Sequence, residues 1–94
     1  MEEKTTEQIH TGKTRSGFAY EVPHERVDNF ELLDELVALR HDKTKITTVV
    51  RMVLGEEQLA RLKEHCRSAS GIVALTAIER ELEDIFSAIG QAKN

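Results

Sequence analysis

Ile46 to Leu54 constrains this chain more than any other stretch, because in a polar sequence it alone is apolar on nearly every side. Two periodicities compete for it. As a strand, Val49 and Val53 would share a face with Thr47 and Arg51. At about 100° per residue, Thr47, Thr48 and Arg51 instead gather in one narrow arc, and Ile46, Val49, Val50, Met52, Val53 and Leu54 fill the remainder. The β-branched residues lower helix propensity by a few tenths of a kcal/mol each. Burial of apolar side chains at about 1.5–3 kcal/mol apiece overrides that. The pattern predicts a short, deeply packed helix at the centre of the core.

The flanking segments read as elements that cover it. Phe18, Tyr20 and Val22 alternate with Ala19 and Glu21, the period of a half-buried strand. A partner strand over Gln8 to Lys13 lies across the polar turn Thr14-Arg15-Ser16-Gly17, and Pro23 stops the second strand. A helix follows over Asn29 to His41, with Asp28 as its cap, Glu31 completing a capping box and Val27 stapled to Leu32. Phe30, Leu32, Leu33, Leu36, Val37 and Leu39 give it a broad apolar face. Thr44 is placed to cap the central helix. Gly55 ends that helix, and Glu56 and Glu57 open a further one that runs to about Arg67 on the narrow stripe Leu59, Leu62 and Cys66.

After the small-residue loop Ser68 to Gly71, the last helix begins at a Thr76 to Glu79 box or as early as Val73. It carries Leu75, Ile78, Leu82, Ile85, Phe86 and Ile89 at spacings of three and four, with Glu79, Arg80, Glu81, Glu83 and Asp84 expected outside, and Gly90 ends it. The expected fold is mainly α (α+β): an N-terminal β-hairpin packed on a compact bundle of about four short helices. Residues 1–7 read as a disordered tail, 8–90 as one domain and 91–94 as a tail.

Composition narrows the function classes. The net charge of −4 over 94 residues argues against a dominant basic field for a phosphate backbone, so no nucleic acid is expected as a partner. One cysteine, Cys66, excludes an intramolecular disulfide and suits a reducing, intracellular compartment. Met1-Glu2-Glu3-Lys4 has no apolar stretch behind it, and no run approaches the roughly 18 residues of a membrane span, so no membrane association is expected.

Motif by motif, chemistry is not favoured. Gly12-Lys13-Thr14 mimics the end of a phosphate-binding loop, but position 7 is Glu7 where the pattern needs glycine, and no helix opens after Thr14. His65 and Cys66 are neighbours whose side chains diverge on a helix. His10, His24 and His41 have no metal spacing. These patterns predict neither an enzyme nor a metal or cofactor site. The Gly55 junction invites a small helix-turn-helix-like DNA-binding regulator or antitoxin as the alternative, but its second helix would meet phosphates with Glu56 and Glu57.

Three segments remain: Ser16-Gly-Phe-Ala-Tyr-Glu-Val, Asp28-Asn-Phe-Glu-Leu-Leu-Asp-Glu-Leu, and Leu54-Gly-Glu-Glu-Gln-Leu-Ala-Arg-Leu-Lys-Glu-His, closed by Glu81-Leu-Glu-Asp-Ile-Phe. In this order they resemble the small tail assembly chaperones of long-tailed (siphovirus-type) bacteriophages and prophages, over about residues 16–90. The resemblance implies a cytoplasmic, oligomer-forming helical protein that shields the tape measure protein until the tail tube forms. It further implies absence from the finished virion and, often, a longer frameshifted form. A second apolar surface beyond the core is then needed, and Phe18, Tyr20, Ile85, Phe86 and Ile89 are the candidates for partner binding.

Overall fold

The computed structural model describes residues 8–92. Its order is β1 (Ile9–Lys13), β2 (Ala19–Pro23), α1 (His24–Val27), α2 (Phe30–Leu39), a 3-10 turn at Lys43–Lys45, α3 (Ile46–Cys66) and α4 (Leu75–Ala92). The fold is mainly α with an N-terminal antiparallel hairpin, as the patterning predicts. The expected tail over residues 1–7 and the last two residues lie outside the described region.

Thr14 and Gly17 close the hairpin: Gly17 N–H donates to the Thr14 carbonyl at 2.9 Å, and Gly17 sits at φ 96°, where a side chain would be strained. The register pairs His10 with Val22 and Gly12 with Tyr20, so these four share the inward face. Gly12 follows from that pairing. A Cβ there would stand 2.7 Å from the Tyr20 hydroxyl, so the tyrosine ring lies over bare backbone. Behind the hairpin, His10 Nε2 and His24 Nδ1 hydrogen-bond at 3.0 Å and tie β1 to α1.

The core is the predicted one. Ile46, Val49, Val50, Val53 and Leu54 are buried, Met52 is half-buried, and Thr47, Thr48 and Arg51 face solvent. Val22, Phe18 and Tyr20 cover them from the hairpin, Leu59 and Leu62 from the later half of α3, and Leu82, Ile85 and Ile89 from α4.

Gly55 breaks α3 as expected, with φ 81° and ψ 170°, a region essentially reserved to glycine. The break frees carbonyls that a continuous helix would pair, and the fold supplies new donors. Arg26 Nη1 donates to the Val53 carbonyl at 3.3 Å, and Gln58 Nε2 to the Leu54 carbonyl at 2.8 Å. The same Gln58 amide exchanges bonds with the Glu21 backbone, donating to its carbonyl at 2.7 Å and accepting from its N–H at 2.8 Å. Kink, hairpin and α1 are thereby fastened together.

Several boundaries differ from expectation for local reasons. The segment His24–Val27 forms a one-turn helix, too short to show a period. Asp28 closes it, its N–H donating to the His24 carbonyl, so the cap of α2 passes to Asn29, whose side chain accepts from Glu31 N–H at 3.0 Å. Likewise Asp42, not Thr44, caps the entry to α3: its Oδ1 accepts from both the Thr44 N–H at 3.0 Å and the Thr44 hydroxyl. Those two bonds hold the Asp42 carboxyl below the usual aspartate range, so the cap persists through that range and is lost as pH falls further. Helix α4 begins at Leu75, between the two expected starts, and continues through Gly90 to Ala92.

Candidate protein-binding surface

Helix α2 divides its apolar residues between two directions. Leu32, Leu36 and Leu39 fall within about 60° of one another, and so do Phe30, Leu33 and Val37, the two arcs lying about 130° apart. The first arc is spent on the core: Leu32 is buried and Leu36 and Leu39 pack half-buried against it. The second faces outward, with Phe30 75%, Leu33 53% and Val37 52% exposed. Exposed acids flank it at Asp28, Glu31 and Asp34, and Arg40 and His41 stand at the far end. Glu35, on the inner edge of α2, lies 3.9 Å from Lys45 Nζ and helps seat the helix on the turn before α3.

The five residues expected to bind a partner lie elsewhere. Phe18, Tyr20, Ile85 and Ile89 are buried in the core, and Phe86 is half-buried against it. Phe18 shows why no free surface forms there: Arg61 lies over its ring at 5.0 Å from the centroid, and the His65 ring packs at 5.5 Å. In the folded chain these side chains belong to the one core cluster, and among the described residues the accessible apolar stripe is on α2. Ile72 and Leu75 are a smaller exposed pair, beside a groove of about 270 Å³ lined by Ile46, Val50, Leu59 and Ile78.

A polar knot fastens the hairpin tip to α3 and α4. The Ser16 hydroxyl donates to Glu81 Oε2 at 2.6 Å and lies 2.8 Å from His65 Nε2. Arg15 N–H donates to Asp84 Oδ2 at 3.0 Å, and its guanidinium also approaches that carboxylate. Glu81 and Asp84 therefore turn inward, against the expectation that they face solvent. Glu81 is only 5% exposed, and its Oε1 finds no hydrogen-bond partner among the described residues. Serine, histidine and glutamate stand close here, yet the directions are those of a clasp. A hydroxyl has one proton, Ser16 gives it to Glu81, and His65 Nε2 then donates to the serine instead of drawing its proton away.

Cys66 ends α3 half-buried, and burial pushes its thiol up, with the negative charge of Glu81 adding to the effect. At neutral pH the thiolate fraction falls below that of a free cysteine. Alkylation of Cys66 is expected to run several-fold slower in the native chain than in urea; equal rates under the two conditions would show that the burial does not matter.

Among the described residues no three His, Cys, Asp or Glu side chains cluster as metal ligands, and no helix is long and apolar enough to cross a membrane. After the Gly55 kink, α3 presents Glu56 and Glu57 to solvent, with Glu56 paired to Arg51.

The chain matches no family model, and no curated protein or solved structure matches it.

Proposed function

We propose that this chain is a protein-binding assembly factor of the tail assembly chaperone kind, which covers apolar helical stripes of the tape measure protein before the tail tube closes around it. The observation that carries the reading is the outward stripe of Phe30, Leu33 and Val37 on a chain whose core is already complete. Contiguous apolar side chains left in water, rimmed by charge, mark interaction sites on small proteins. A helix that presents them at spacings of three and four reads or is read by another amphipathic helix. Two of the three stripe residues, Phe30 and Leu33, also fall inside Asp28 to Leu36, one of the segments on which the resemblance to these chaperones rests. Acting in the host cytoplasm, such a factor would keep the partner's stripes from associating early and leave as the tube forms.

Co-expression with a tape measure protein tests this. The partner is expected to become soluble and to co-elute with several copies of the chain, and Leu33→Asp is expected to abolish co-elution while the variant keeps its circular dichroism spectrum. A partner whose solubility is unchanged by the chain would overturn the proposal.

A further inference from the structure

The two edges of the hairpin are treated differently by the rest of the fold. Thr14 N–H donates to the Phe18 carbonyl at 3.0 Å and His24 N–H to the Gln8 carbonyl at 2.8 Å, which fixes the parity of the ladder. His10 and Gly12 therefore spend their backbone groups on β2, and Ile9, Thr11 and Lys13 direct theirs away from it. The same parity sends the Ala19 and Glu21 groups of β2 to its far side. There α3 closes the edge: Gln58 takes both groups of Glu21, and Arg61 Nη2 donates to the Ala19 carbonyl at 3.2 Å. On β1, no described residue bonds the outward N–H and carbonyl groups of Ile9, Thr11 and Lys13, which are all exposed.

A groove of about 310 Å³ runs beside that edge, between Ile9, His10 and Thr11 on one side and Ala88 and Ile89 of α4 on the other. Tyr20 borders it. The tyrosine is 5% exposed, its hydroxyl lies over the bare Gly12 backbone, and that hydroxyl has no hydrogen-bond partner among the described residues. Buried tyrosine hydroxyls ordinarily have one.

We propose that β1 is a docking edge for an extended segment of a partner protein, which adds a third, antiparallel strand to the hairpin. Only another extended main chain presents donors and acceptors at the two-residue repeat of Ile9, Thr11 and Lys13. Side chains then select the sequence. Opposite the exposed Lys13 an acid fits, and opposite Gly12 a small hydroxyl side chain brings an oxygen to the Tyr20 hydroxyl. Opposite His10, an apolar residue enters the groove against Ala88 and Ile89. This edge is separate from the outward stripe of α2 and would serve its partner whatever that stripe binds.

Amide hydrogen exchange followed by NMR tests the docking, with the capped peptide Thr-Glu-Ser-Thr-Val-Val-Thr as the probe. Its glutamate is placed to face Lys13, and its first valine to face His10. In the chain alone, the His10 and Gly12 amides are expected to be protected and those of Ile9, Thr11 and Lys13 to exchange fast. Saturating peptide is expected to slow these three by more than tenfold. Methylation of the peptide nitrogen that faces Thr11 is expected to abolish the effect. Lys13→Glu is expected to weaken binding several-fold, with recovery when the peptide carries lysine in place of glutamate. Tyr20→Phe is expected to weaken the parent peptide and to leave one with alanine in place of serine unchanged. Protection of the three amides before peptide is added would show that the chain or a second copy already covers the edge, and would overturn the proposal. So would a peptide that leaves them fast, or one that perturbs Phe30, Leu33 and Val37 of α2 instead.

Discussion

Gly55→Val is expected to destabilise the fold by about 3 kcal/mol, the upper end of the cost of holding a non-glycine residue in a sparsely populated backbone region. The residue sits at φ 81° and ψ 170° between two helical segments. Any Cβ there also meets Arg26 Nη1 at 3.1 Å, and Arg26 is the donor that serves the Val53 carbonyl. The substitution thus has two ways to relieve itself, and both cost the core. Straightening α3 would swing Leu59 and Leu62 away from Val50 and Val53, and displacing Arg26 would leave a carbonyl without its donor. For a chain of this length the loss is a large share of the total, which lies at roughly 5–14 kcal/mol. Urea unfolding followed by circular dichroism should show the midpoint falling sharply, with Gly55→Ala falling less. A midpoint that barely moves would mean that the kink is dictated by the packing of the two halves and that glycine is incidental to it.

The second large effect concerns the knot at the hairpin tip and is expected to differ in sign between its two members. Ser16→Ala removes the donor to a carboxyl that is 5% exposed and whose other oxygen is already without a partner among the described residues. Hydrogen bonds to charged groups contribute about 1.5–3 kcal/mol, and a buried acceptor stripped of its donor loses that much or more. Glu81→Leu in the Ser16→Ala background removes the orphaned group altogether and fills its buried place with hydrocarbon, so stability is expected to return close to that of the parent. The double-mutant cycle measures this directly. If the double variant is no more stable than Ser16→Ala alone, Glu81 contributes through packing of its methylenes, and the hydrogen bond is secondary.

Much of this architecture is legible in local pattern. The solvent arc of Thr47, Thr48 and Arg51 identifies the central helix because a residue surrounded on most sides must be apolar on most sides. Gly55 identifies the break, and the alternation from Phe18 to Val22 identifies the inner face of the hairpin. Helix ends were harder. Asp28 and Asn29 are both good caps, and the choice fell to Asn29 only because a one-turn helix, invisible to any periodicity, had already engaged Asp28. The inward turn of Glu81 was present in the spacing, three residues after Ile78 and four before Ile85, but its charge argued for solvent, and its partner Ser16 lies 65 residues away.

The outward stripe of α2 shows a different limit. The division of α2 into two apolar arcs can be drawn from the sequence, but which arc remains uncovered depends on how many neighbours the fold brings to it. The chain has enough apolar cover for Leu32, Leu36 and Leu39 and none left for Phe30, Leu33 and Val37. In reverse, the aromatic hairpin and the stripe of α4 suit a core as well as a surface on pattern alone, and in the fold Phe18, Tyr20, Ile85 and Ile89 belong to one buried cluster with α3.

The clasp between the hairpin tip and α4 also sets an order of events during synthesis. Arg15 and Asp84 are 69 residues apart, nearly the length of the chain. A ribosome adding about 5–20 residues per second needs roughly 3–14 s to travel between them, whereas a hairpin forms in about 1–10 μs. For those seconds the strand pair can already meet α3, whose Arg61 and His65 pack on Phe18, but the Arg15 N–H at its tip lacks Asp84 until α4 is translated. The N-terminal element is ready first and fastened last, and a pause while α4 is being made would prolong the interval in which its tip is unclasped.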